Sequence, residues 1–319
     1  MNAARTFAGV HEARAFLAKP LHLAIGMFDG VHLGHQAVIG AAVRSAEGAG
    51  GVSAVLTFWP HPSRLFRPGE PVKQLQSPEI RARQLLGLGV AAVITQPFDR
   101  AFAALEAEAF LPFLKETLPS LAAIYVGENW RFGRGRRGDV AVLVSEGRRM
   151  GIAVFGAPRV NRNGEPISST RIRSLVETGG IAQANSLLGY IYFAEGTVAP
   201  GKRLGRTLGF PTLNVPWNPE LVPRLGVYVV RIKRMDDDAG RWLPAVANYG
   251  LRPTIENDTQ PRLEVHVLGS CDLVEADPVR VEWLSFLRPE RKFAGLDALV
   301  AQIGVDRARA EAYFSEQPA

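Results

Sequence analysis

Gly26-Met27-Phe28-Asp29-Gly30-Val31-His32-Leu33-Gly34-His35 is the stretch on which the reading of the first half of this chain turns. An apolar run at 21–25 leads into it, and helical spacing from about 36 to 47 leads out, so it spans a strand-to-helix junction. Such a junction binds anions: free backbone N–H groups and the positive end of the helix dipole face the same point. Glycines let the backbone approach a phosphate, and the imidazoles of His32 and His35 add donors. Gly26, Phe28, Asp29, Gly30 and Gly34 complete the candidate phosphate loop.

Further apolar runs at 52–58, 90–95, 121–126 and 152–155 read as buried strands. Helical patterns at 77–88 and 100–118 lie between them, the first opened by a cap residue and a proline, Ser77-Pro78. This alternation predicts a parallel sheet with helices on both faces, whose ligand binds beyond the carboxyl ends of the strands. Three more patches carry chemistry-bearing residues: Thr57 to Pro62, Gly127 to Gly138 with its four arginines, and Ile167 to Arg173. All but the last follow a predicted strand directly.

The texture changes near residue 184. Strands are expected at 191–198, 227–232, 243–248, 263–268 and 279–286, separated by Gly, Pro, Asn and Asp, a pattern for a small antiparallel barrel. Two helices, 296–303 and 306–314, are expected to close the chain, and 235–240 reads as a hairpin tip. The stretch from Gly196 to Asn214 reads as a phosphate- and metal-handling loop. Its N–H groups and Lys202 suit phosphates, and the Thr212 hydroxyl and Asn214 carbonyl suit Mg²⁺. It is not a Walker A loop, because GxxxxGK[ST] is absent. Period-two alternation puts Leu263, Val265 and Val267 on one strand face and Glu264 and His266 on the other.

The bulk numbers bound the class. A chain of 319 residues, 47% hydrophobic and 21% charged, is ordinary for a soluble protein of one to three domains. A net charge of +6 suits phosphate-bearing ligands and is too diffuse to argue for nucleic acid. A lone cysteine, Cys271, allows no intrachain disulfide and no cysteine-cluster metal site. No signal peptide is read at the N-terminus, and no apolar run reaches the roughly 18 residues of a membrane span. The expected setting is cytoplasmic, with no membrane and no nucleic-acid partner.

GxFDGxHxGH at 26–35, with the three other patches in order, resembles the adenylyltransferase module of the bacterial bifunctional riboflavin kinase/FAD synthetase family. The PTxN turn at 211–214, Gly226-Val227-Tyr228, the segment 247–254, Leu263 to Val267, and 286–293 with Asp306 resemble its riboflavin kinase module. The resemblance implies an α/β nucleotidyltransferase with a Rossmann-like parallel sheet at 1–183 and a β-barrel kinase at 184–319. It implies phosphorylation of riboflavin to FMN and adenylation of FMN to FAD, with ATP and Mg²⁺. By the same resemblance, His32 and His35 hold the triphosphate, and Ser168, Ser169, Thr170 and Arg173 close over it, with Arg171 a weaker candidate. Phe58, Pro60, Asn129 and Phe132 serve the flavin. Gly201, Lys202, Gly205 and Pro211 serve ATP in the kinase, Thr212 and Asn214 the metal, and Glu264 is the base. Small-molecule substrates are the partners implied.

The sequence departs from the family at Trp59 and Trp130. It departs again at 269–277, where a Leu-Tyr-Gly turn is missing. A chain that retains only FAD synthesis, and a flavin-binding protein without turnover, are the alternatives.

Overall fold

The computed structural model describes residues 5–15, 18–201, 209–237, 240–251 and 261–317. It divides into two compact units, Met1–Ser169 and Thr170–Ala319. The helices after Ser169 fall in the second unit.

The first unit contains, in chain order, β1 (Arg5–Phe7), α1 (Val10–Ala13), β2 (Leu21–Ile25), α2 (Leu33–Gly48), β3 (Val52–Trp59), α3 (Pro62–Phe66) and α4 (Pro78–Leu86). There follow β4 (Ala92–Pro97), α5 (Arg100–Ala103), α6 (Ala107–Thr117), β5 (Leu121–Gly127), α7 (Val140–Met150), β6 (Ala153–Ala157) and a small ribbon of β7 (Asn161–Arg162) and β8 (Glu165–Pro166). The main sheet has the order β1-β4-β3-β2-β5-β6 and is parallel throughout. Both its faces are covered, which is why its strands read as continuous apolar runs rather than alternating ones. Ala24, Val55 and Val93 face Val38, Ile39 and Leu85 of α2 and α4. Leu23, Ile25, Leu56 and Ile94 face Phe110, Leu111 and Leu114 of α6 on the other side.

Three local outcomes differ from the sequence pattern. β1 was not anticipated; it is a three-residue edge strand with no apolar run. The helix expected over 100–118 is two helices, and the break leaves the Leu105 carbonyl to accept the Arg134 N–H at 2.7 Å. The strand expected at 90–95 runs from 92 to 97.

The second unit receives α8 (Ser169–Thr178), which begins at the division, then α9 (Ile181–Leu188), β9 (Phe193–Thr197), β10 (Leu213–Val215), β11 (Gly226–Arg234), β12 (Leu243–Gly250), β13 (Arg262–Val267), β14 (Pro278–Pro289) and α10 (Leu296–Glu316). The sheet order is β10-β13-β12-β11-β14-β9, antiparallel at every pair. Its two edges meet through an Ala199–Asn214 bridge, the Ala199 N–H donating to the Asn214 carbonyl at 2.9 Å, so the sheet closes toward a barrel. Trp283, Tyr228 and Tyr249, each at most 1% exposed, fill the interior. Burial lifts the Tyr228 phenol well above its usual range and pushes Tyr249 up to about 12.

The strand expected from 191 begins at 193, and β10 was read only as a turn. The two closing helices are one. α10 runs through Gly304 because both halves are held. Asp306, 2% exposed, takes a bidentate bond from Arg288 at 2.7–3.0 Å. Ala310 packs against Val227, Val229 and Val246.

Candidate active sites

The strand order of the first unit has its switch between β3-β2 on one side and β5 on the other. That is where ligands of open parallel sheets bind, beyond the carboxyl ends. Three of the sequence patches stand there side by side, because β3, β2 and β5 are neighbours about 4.8 Å apart. Thr57 to Pro60 ends β3, Gly26 to His35 follows β2, and Gly127 to Asn129 ends β5.

The turn after β2 is tightly determined. Phe28, Gly30 and Val31 have φ of 49°, 82° and 37°, the left-handed region that only surrounding contacts hold in non-glycine residues. The Met27 carbonyl accepts from Thr57 Oγ1 at 3.0 Å and from Arg81 Nη1 at 3.2 Å. Asp29 is 1% exposed, and its carboxylate accepts the Leu75 N–H at 3.0 and 3.2 Å. Its backbone carbonyl accepts from Ser169 Oγ at 2.8 Å. Gly26 is bare because a Cβ there would fall 3.0 Å from the Phe28 ring.

His32 caps α2: its Nδ1 accepts the His35 N–H at 3.3 Å. An acceptor Nδ1 places the proton of the neutral ring on Nε2, making that atom a donor. The rings of His32 and His35 stack with centroids 3.5 Å apart and planes at 19°. Phe28 meets His35 edge-on at 5.3 Å. The two imidazoles thus form one rigid block at the helix start.

The residues expected to serve the flavin are placed differently from one another. Phe58 and Phe132 are each 7% exposed and belong to the core, Phe58 against Phe98 and Phe102, Phe132 stacked on Trp130 at 4.7 Å. Pro60 follows a cis peptide and is half-buried. Asn129 is exposed and donates to Glu128 at 3.2 Å. Of the arginine loop, Arg131 pairs with Asp139 at 3.1 Å and Arg134 with Glu106 at 3.2 Å. Asp139 is held below the usual carboxylate range first by the Val142 N–H at the cap of α7 and then by Arg131. Arg136 and Arg137 are exposed. Ser168 is half-buried; Thr170 and Arg173 fall in the second unit, exposed and half-buried respectively.

Arg81 was not singled out by the sequence pattern. It is 1% exposed and its guanidinium reaches the Met27 and Phe58 carbonyls at 3.2 and 3.5 Å, joining the loops after β2 and β3. A charged residue at an apolar helix position was the available signal.

In the second unit the register decides the site. Asn214 on β10 stands directly opposite Glu264 on β13, and Asn248 on β12 flanks Glu264 on the other side. Leu263 and Val265 point inward, at 1% and 0% exposed, so Glu264 is on the outer face as expected. Thr212 is exposed and Asn214 half-buried. A Cβ at Gly201 would overlap the Asn214 amide, which accounts for the glycine. Pro211 accepts from His266 Nδ1 at 2.8 Å. Lys202 and Gly205 lie outside the described residues.

The departing segment at 269–277 is tied down rather than open. Asp277 accepts from the Val274 N–H at 2.8 Å and from Arg234 at 2.6 Å, which together hold its carboxyl low. Ala276 N–H reaches the Val198 carbonyl at 2.9 Å.

Two family models match the chain: FAD synthetase over residues 17–171 and riboflavin kinase over 188–314. A bifunctional riboflavin kinase/FMN adenylyltransferase of Escherichia coli strain K12 is 35% identical over 306 residues, 96% of each chain. Its counterpart in Bacillus subtilis strain 168 is 35% identical over 298 residues, 92% of each. A crystal structure described as a macrolide-efflux protein from Streptococcus pneumoniae superposes with a TM-score of 0.83 at 27% identity, covering 96% of this chain and 98% of that one. Among the described residues here, no helix is long and apolar enough to cross a membrane.

Proposed function

The chain belongs to the bifunctional riboflavin kinase/FMN adenylyltransferase family, and from that premise we propose how its residues divide the work. It phosphorylates riboflavin to FMN with ATP and adenylates FMN to FAD with release of pyrophosphate. We assign adenylation to residues 1–183 and phosphorylation to 184–319.

The observation that supports the division is the use of carboxylates. In the adenylylation loop Asp29 is buried and engaged by the Leu75 N–H, so it is a structural acceptor. FMN attacks through a phosphate oxygen that is already anionic, and no base is needed. What is needed is charge neutralisation at the α-phosphate and on the leaving pyrophosphate, in line. The stacked His32–His35 block and the start of α2 supply donors for that. Gly26, Phe28, Asp29, Gly30 and Gly34 shape the loop, and Ser168 and Ser169, with Thr170 and Arg173 next in the chain, are assigned to the phosphates. Asn129 and Pro60 are assigned to direct flavin contact, and the core rings of Phe58 and Phe132 to backing that surface.

The riboflavin 5′-hydroxyl is a neutral alcohol and does need a base. Glu264, on the outer sheet face opposite Asn214, is assigned to take its proton as it attacks the γ-phosphate. Mg²⁺ accompanies ATP. Thr212 and Asn214 offer neutral hard oxygens beside the side-chain-free Gly201, a donor set that fits an ion held chiefly by phosphates and water. When bound, the ion neutralises phosphate charge. Gly201, Lys202, Gly205 and Pro211 are assigned to the nucleotide. A cytoplasmic setting, with neither membrane nor nucleic acid as partner, completes the proposal; the lone exposed Cys271 accords with a reducing compartment.

The test is a time course of purified protein with riboflavin, ATP and Mg²⁺, the flavins separated by chromatography. FMN followed by FAD is expected. Riboflavin unchanged while added FMN becomes FAD would leave the adenylylation half alone, and no change in either flavin would leave a binding protein.

A further inference from the structure

The ladder between β10 and β13 ends at Leu213–Val265. The next rung would set Thr212 opposite His266, but no further pairing forms there. Instead the His266 side chain takes up the backbone: its Nδ1 lies 2.8 Å from the Pro211 carbonyl, across 55 residues of sequence. A carbonyl only accepts, so Nδ1 carries the proton. The ring is 8% exposed and Phe210 closes over it edge-on at 5.6 Å. Its Nε2 is buried and has no hydrogen-bond partner among the described residues. In the neutral ring that atom is a lone pair, so among the described residues the buried imidazole has a single polar attachment, and it is to this turn.

The consequence follows from register. Antiparallel pairs stand with Cβ atoms about 4.5–5.5 Å apart on the same face, and faces repeat every second residue. Asn214 and Glu264 occupy one rung, and Thr212 and His266 fall at the next position on that face. β10 is three residues long, and beyond its ladder to β13 the pairing on its other edge is the isolated Ala199–Asn214 bridge, so backbone pairing alone holds the preceding turn weakly. Pro211 has no N–H to contribute.

We propose that His266 is a positioning residue of the kinase half: its Nδ1–H pins the Pro211 carbonyl and thereby sets the Thr212 oxygen beside Asn214 and Glu264. His266 touches neither flavin nor nucleotide in this role; it acts through the turn. The inference rests on the kinase assignment of Thr212, Asn214 and Glu264.

The experiment compares His266→Asn, His266→Gln and His266→Ala in the full chain. An asparagine amide can place a donor near Nδ1; a glutamine amide reaches toward Nε2 instead. Riboflavin phosphorylation, FMN adenylation, the Mg²⁺ concentration for half-maximal kinase rate, and unfolding by tryptophan fluorescence are measured for each. His266→Ala and His266→Gln are expected to lower kinase kcat/KM about 10–100-fold, the usual range for losing a residue that orients a ligand. Both should raise the Mg²⁺ requirement, and His266→Asn should recover most of the loss, with FMN adenylation unchanged throughout. Equal kinase activity in all three, or equal loss in Asn and Gln, overturns the proposal, because then neither the bond nor its position matters. The Asn–Gln contrast holds even where the alanine variant unfolds. A wild-type protein that makes FAD from FMN but no FMN from riboflavin removes the kinase assignment and this inference together. An active kinase indifferent to His266 removes only this inference.

Discussion

Gly34→Ala separates stability from chemistry in the first unit. Gly34 lies in the first turn of α2 without a positive φ, so alanine is conformationally allowed and is favoured over glycine by at most the helix-interior difference of about 1 kcal/mol. The new Cβ, however, would fall 3.1 Å from His32 Cε1 and 3.2 Å from its Nδ1. Ordinary contact starts near 3.4 Å, so the ring must shift by a few tenths of an ångström. It cannot shift toward His35, whose ring already stacks at 3.5 Å. The shift therefore strains the 3.3 Å cap bond to the His35 N–H, a bond worth about 1 kcal/mol. Gain and loss nearly cancel, and the melting temperature is expected to move by no more than about 2–4 °C. Catalysis has no such compensation: misplacing a group near the reacting phosphate by up to an ångström costs as much as about 100-fold. The assay follows FMN and ATP to FAD, with riboflavin phosphorylation in the same molecule as control. FAD synthesis is expected to fall at least about tenfold within that limit, while phosphorylation is unchanged. Wild-type FAD synthesis in a normally folded Gly34→Ala protein would refute the role given to the stacked histidines.

Glu264→Gln keeps the shape of the side chain and removes the base; riboflavin phosphorylation should drop about 10²–10⁴-fold while added FMN is still converted to FAD, read by the same chromatography. Asp306→Ala leaves Arg288 half-desolvated without its carboxylate and should destabilise the second unit by about 3–5 kcal/mol, seen as a lowered denaturation midpoint. Burial lowers the pKa of His22, whose Nδ1 lies 3.1 Å from the Tyr125 hydroxyl. Between that lowered value and about 6.5 the unfolded chain binds more protons, so this contribution to stability is complete above about pH 6.5 and is lost as pH falls below it. Urea midpoints at successive pH values should therefore decline less steeply on the acid side in His22→Gln than in the wild type.

The elements legible in the sequence were those with strong local signatures. β2 was read at its observed limits because a strand buried on both faces is apolar at nearly every position, here at all but His22. The start of α4 was legible in Ser77-Pro78, and Ser77 does cap the Ile80 N–H, at 3.3 Å. β1 and β10 escaped because a three-residue edge strand buries too little to leave a pattern; each exists only because a neighbour, β4 or β13, is there to pair with it. The helix break at 104–106 escaped for a related reason. The Arg134 N–H that occupies the Leu105 carbonyl comes from 29 positions along the chain. The opposite error, a break read at Gly304, arose because glycine's local cost is visible in sequence and the Arg288–Asp306 anchor that overrides it is not.

What the sequence determined by itself was chemistry and order: which residue types occur, in which motifs, on which strands and junctions, and hence two nucleotide-handling halves in succession. Motifs are local, and so is the physics of caps, turns and period-two faces that they report. Only tertiary structure decided which motifs stand together and what each side chain is occupied with. Strand order put the ends of β3, β2 and β5 on one rim, and the register of β10 against β13 put Asn214 opposite Glu264. Burial sent Phe58 and Phe132 into the core, engaged Asp29 with Leu75, and made Arg81 and His266 the ties of two loops. Those outcomes depend on partners distant in sequence, whose pairing is chosen by the packing of the whole sheet.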